Sequence, residues 1–147
     1  MINYPALVLL FVLSGRNTVG IELESLDFPS YILAGDTTLM SCLYKVNQVQ
    51  ESELDVKWYH GTSPSPFLVY LPHHWDSPHL LDTKYSSSLL PVASSSSLMV
   101  FQLTNITKEQ AGMYSCKVST NSDEHVTSRR LNVIGEWTRS DWRGSSH

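Results

Sequence analysis

Cys42 and Cys116, the only two cysteines, stand 74 positions apart with an aromatic run between them, and no other feature restricts the fold so much. The run is Val56-Lys57-Trp58-Tyr59, whose alternation suits a half-buried strand. Gln110-Ala111-Gly112-Met113-Tyr114-Ser115-Cys116 then places a tyrosine two residues before the second cysteine. Counting by twos puts Thr38, Met40, Cys42 and Tyr44 on one side of a strand. The same count puts Tyr114, Cys116 and Val118 on one side of another, and Met99, Phe101 and Leu103 on a third, closed by Ile106. Turn signals recur at Gly35-Asp36, Gly61 to Pro66 and Asn121 to Asp123, and no useful length of chain has a 3.6-residue period. Such a pattern is all-β. A chain of 147 residues is long enough for one domain with its own core and too short for two.

The order Cys, Trp, Tyr-x-Cys resembles the immunoglobulin superfamily, variable type, over about Ile21 to Val133. That resemblance implies an immunoglobulin-like sandwich of two antiparallel sheets with one inter-sheet disulfide, Cys42 to Cys116. Trp58 would pack on the bridge and Tyr114 would close a corner. The length between Trp58 and Phe101 favours the nine-strand variable arrangement over the seven-strand one. Upstream, Ile21 to Leu33 reads as a leading strand bent at Pro29. The expected division is a signal peptide over 1–20, the domain over 21–134, and a disordered or truncated tail over 135–147.

A finer resemblance rests on Val56-Lys57-Trp58-Tyr59 followed by Phe67-Leu68-Val69-Tyr70-Leu71-Pro72, which is similar to the first domain of the arthropod beaten-path family. It implies a secreted or membrane-anchored neuronal recognition molecule, acting in axon guidance or cell adhesion, with sidestep-type immunoglobulin receptors as partners. Two departures are visible. Gln110 stands where many variable-type domains carry Asp, so the usual Arg–Asp bridge across the sandwich bottom is not expected. The family pattern also runs on into a second domain, and no second cysteine frame precedes His147.

The N-terminus suits export. Ala6 to Leu13 is an apolar run of eight residues, far short of the ~20 that span a bilayer but ordinary for a secretory core, although no Lys or Arg precedes it. Small residues at Ser14, Gly15, Thr18 and Gly20 offer cleavage points, Thr18-Val19-Gly20 being preferred, so the mature chain would begin at Ile21. A buried first strand is the competing reading. Two cysteines placed as a frame fit an oxidising, extracellular compartment. A net charge of −4 and a pI near 5.8 argue against a nucleic-acid or anionic-membrane partner, and no transmembrane segment is expected.

No catalytic motif is present: there is no nucleophile elbow, phosphate loop or aligned acid–base pair, and the serine runs read as solvated loop. His73, His74, Asp76 and His79 could ligate zinc chemically, but their spacing matches no ordered ligand pattern, so neither metal nor cofactor is expected. Asn105-Ile106-Thr107 is the one N-glycosylation sequon. Period-two counting assigns Lys57, Tyr59, Leu68, Tyr70, Met113 and Lys117 to an outward, aromatic sheet face, the expected partner-binding surface on a cell-surface protein. The lysines would steer an acidic partner. The alternative is a secreted immune or decoy binder that uses the hairpin around Asn121 to His125 instead.

Overall fold

The computed structural model describes residues 20–47 and 51–135. The expected signal peptide (except Gly20) and tail (except Gly135) therefore lie outside the described residues. In chain order the strands are β1 (Glu22–Asp27), β2 (Tyr31–Leu33), β3 (Thr38–Lys45), β4 (Asp55–His60) and β5 (Leu68–Tyr70). They continue as β6 (His79–Leu80), β7 (Leu89–Ser94), β8 (Leu98–Leu103), β9 (Gly112–Ser119) and β10 (Glu124–Ile134). One sheet has the order β1-β3-β8-β7 and the other β2-β10-β9-β4-β5-β6. The fold is the expected two-sheet sandwich.

Ten strands among the described residues exceed the expected nine because the leading segment divides rather than bends. β1 pairs antiparallel with β3, while β2 crosses to the other sheet and runs parallel to β10. Pro29 lies at the break, and without an N–H it cannot continue the first ladder. Ile32 consequently faces the core, while Tyr31 and Leu33 face solvent.

The inward rows meet as their periodicity demands. Met40, Cys42 and Tyr44 from β3 and Tyr114, Cys116 and Val118 from β9 are fully buried. Cys42 is bonded to Cys116 across the sheets, with 6.5 Å between their Cα atoms. Trp58 lies opposite Cys116 in the β4–β9 register and meets the Phe101 ring edge-on at 4.8 Å. Phe67 fills the adjoining space, edge-on to Phe101 at 5.9 Å and to Tyr114 at 6.0 Å.

The end of the sandwich below Tyr114 is held by a polar cluster. Tyr114 donates its hydroxyl to the Gln110 carbonyl at 2.5 Å, which makes the expected corner. The Gln110 side chain accepts the Thr107 backbone N–H at 2.6 Å and the Thr107 hydroxyl at 3.2 Å, so it stabilises the turn that leads into β9. His60 stacks on Tyr114 with ring centroids 4.2 Å apart. Its Nε2 donates to the Ala111 carbonyl at 2.8 Å, which leaves Nδ1 to accept from the Tyr85 hydroxyl.

That arrangement requires neutral His60. Burial pushes its pKa below the usual imidazole value, with Lys84 acting in the same direction and the Ala111 bond against it. Below about pH 6.5 the unfolded chain therefore takes up a proton that the folded chain resists, so stability falls as the solution is acidified. The melting temperature is expected to drop between pH 7 and pH 5. In His60→Gln the melting temperature at pH 7 is expected to be lower but its fall over that window shallower, and thermal melts of both proteins check it. An equal slope in the two would remove His60 as the cause.

Candidate functional site

The outer side of the six-stranded sheet is built by the same registers that bury the bridge. In β4, Val56 and Trp58 turn inward, so Lys57 and Tyr59 turn outward. Across the β4–β9 ladder Lys57 opposes Lys117 and Tyr59 opposes Ser115. Across the next ladder Met113 opposes Arg130, Ser115 opposes Ser128, and Lys117 opposes Val126. The two serine hydroxyls are 2.6 Å apart, which continues the row from Tyr59 across three strands.

Two of the six expected surface residues are not there. Leu68 and Tyr70 are buried, not outward. Directly opposed residues in an antiparallel pair share a side, and Leu68 opposes Trp58 while Tyr70 opposes Val56. Both therefore belong to the core. The outward residue of β5 is Val69, opposite Lys57, and even it is largely covered.

The lysines also play a different part. Facing each other across the ladder they would repel. Lys57 is instead paired with Asp55 at 3.7 Å, and Lys117 with Glu124 at 3.1 Å. The Glu124 bond raises the Lys117 pKa above its ordinary value, and the ammonium stays charged. The two lysines are thus each offset by a carboxylate, while Arg130, exposed opposite Met113, adds a further cation to this face.

Tyr31, Leu33, Val126 and Ile134, which sequence reasoning missed, join the expected Met113 and extend the face toward β2. Tyr31 is 66% exposed, Leu33 58% and Val126 54%, with Ile134 and Met113 less so. Leu33 opposes Ile134 in the β10–β2 register, so these two side chains lie on the same side. Five of the nine large apolar side chains exposed among the described residues lie on this one side of the sheet. Tyr31, Leu33 and Ile134 group at the β2 edge, while Val126 lies toward the other end of β10 beyond Ser128, Arg130 and Asn132. Grouped apolar residues mark an interaction surface better than scattered ones do.

The remaining candidates fall elsewhere. Asn105 is exposed in the turn after β8, with φ at 49°, a left-handed conformation that asparagine tolerates. His79 stacks on Trp75 with centroids 3.8 Å apart. Among the described residues no three His, Cys, Asp or Glu side chains lie close enough to share a metal ion. The hairpin after β9 closes through the Thr120 N–H, which donates to the Asp123 carbonyl at 2.9 Å.

A family model of the immunoglobulin V-set domain matches residues 32–134, well over half of the chain. No curated protein matches it.

Proposed function

The chain belongs to the immunoglobulin V-set domain family, and on that premise we propose that it is an extracellular recognition module that binds another cell-surface protein. V-set domains mediate protein–protein binding and are typically not enzymes, and the bridge between Cys42 and Cys116 is consistent with an extracellular setting. Among the described residues no helix is long and apolar enough to cross a membrane. The observation that carries the proposal is the apolar and aromatic outer face of the six-stranded sheet. Tyr59 stands on β4 in the middle of the sheet, and Met113, Val126, Tyr31, Leu33 and Ile134 extend the face to one side of it, over β9, β10 and β2. Tyrosine and methionine are enriched at interface centres, and the lysines beside Tyr59 are each paired with a carboxylate.

The specific form of the proposal is a sidestep-type immunoglobulin receptor as partner and a role in neuronal adhesion or axon guidance. It is supported by the run Val56 to Tyr59 followed by Phe67 to Pro72, and by the leader-like residues 1–20. The secreted chain would carry a glycan at Asn105, on an exposed turn.

The test is a cell-surface interaction screen against sidestep-type receptors with Tyr59→Ala combined with Met113→Ala. These positions are diagonal neighbours on the face, since Tyr59 opposes Ser115 two residues beyond Met113. Loss of such central residues costs about 2 kcal/mol or more of binding, at least about a thirtyfold weakening. The melting temperature is expected to change little, because both side chains face outward. Normal binding by this double variant, with binding lost on changing Asn121 or His125, would assign recognition to the hairpin and favour the immune or decoy reading.

A further inference from the structure

The nitrogen of Ile21 lies 2.9 Å from Oδ2 of Asp123, a residue 102 positions later in the chain. Ile21 is only 5% exposed and belongs to the core, so its nitrogen is held in place by a packed side chain. Asp123 is partly exposed but hydrogen-bonded to its neighbours. Its Oδ1 accepts the Glu124 N–H at 2.9 Å, and His125 approaches its Oδ2 at 3.4 Å. Gly20 lies against the same carboxylate: a Cβ there would fall 2.2 Å from Oδ2. A carboxylate thus faces the bond between Gly20 and Ile21, which is the junction at which the small residues Thr18 and Gly20 predict cleavage.

We propose that removal of residues 1–20 turns the Ile21 nitrogen into an ammonium that pairs with Asp123 and ties the start of the domain to the β9–β10 hairpin. The inference rests on the export reading above and adds a function for the new terminus. Hydrolysis of the Gly20–Ile21 peptide bond by a signal endopeptidase consumes one water. The Gly20 carbonyl carbon departs as a carboxylate on the leader, and the Ile21 nitrogen becomes an amine that is protonated at neutral pH. A neutral N–H donor is replaced by a cation at the same position, and a charge-assisted bond is stronger than the neutral one. The Ile21 and Glu124 N–H groups already hold the Asp123 pKa below the usual carboxylate value, so the acceptor is ionised. Because Asp123 also closes the Thr120 turn, the pair orders the hairpin as well as the terminus.

The full chain, expressed in a eukaryotic secretory line, provides the test. N-terminal sequencing of the secreted protein is expected to begin at Ile21. Its α-amine is then labelled with an amine-reactive ester near pH 7.5, in the wild type, in Asp123→Asn and in His125→Ala. The wild-type terminus is expected to react about tenfold more slowly than that of Asp123→Asn, as an amine does when a counter-charge holds its proton. His125→Ala is expected to match the wild type. The wild type unfolded in urea supplies the same comparison without any variant, and it is expected to react like Asp123→Asn. Equal reactivity of the folded and unfolded wild type, or secretion from a different first residue, overturns the pairing and leaves export intact. A chain that keeps Met1 inside the cell overturns both.

Discussion

Replacing Cys42 and Cys116 together with alanine is expected to lower the unfolding free energy by about 4 kcal/mol, within the ~2–5 kcal/mol usual for loss of a native bridge. The bridge joins positions 74 apart, so its removal releases most of the domain's chain to the unfolded ensemble. Both sulfurs are fully buried between β3 and β9, and alanine leaves a void there in addition to the freed chain. Since domains of this size are stable by only about 5–15 kcal/mol, the double variant is expected to be marginal at body temperature. Chemical denaturation of wild type and variant measures the difference. A cross-linked Cys42–Cys116 peptide in the unreduced, secreted wild type establishes that the bridge forms during export. An unchanged midpoint in the variant would mean that the two sheets are held by packing alone.

The parts of the fold legible in the sequence are those anchored to a residue whose side was already known. A cysteine in a bridge must face inward, and counting by twos from Cys42, Cys116 or Trp58 then gives the sides of β3, β9 and β4 correctly. The same count from Trp58 reaches His60, so the buried polar cluster under Tyr114 was within reach. β5 offers no such anchor. Phe67 to Leu71 is apolar without a break, so its pattern cannot say which residues face in, and only the pairing of Leu68 with Trp58 decides it. The pairing of Lys117 on the outer face was equally invisible, because Lys117 meets Glu124 only once β9 and β10 form a hairpin. The exposed set at Tyr31 and Leu33 follows from a strand that changes sheets, and a proline in sequence signals the break but not the destination.

Trp58→Ala is expected to be among the most damaging single substitutions, at roughly 3–5 kcal/mol. The side chain is fully buried, lies opposite both Cys116 and Leu68, and meets Phe101 edge-on. Its neighbours belong to two sheets joined by a disulfide, so they cannot move together to close the space that alanine would leave. The indole N–H has no hydrogen-bond partner among the described residues, so packing and buried area account for what the residue contributes. That sets an order for a second variant. Trp58→Phe keeps a ring against Phe101 and removes an unpaired donor, and it is expected to recover roughly half of the alanine loss. Denaturant midpoints of the three proteins give the order. If phenylalanine were as damaging as alanine, the N–H would be bonded in solution and the contribution would be polar as well as apolar. An unchanged midpoint in Trp58→Ala would mean that β4 does not cross the bridge.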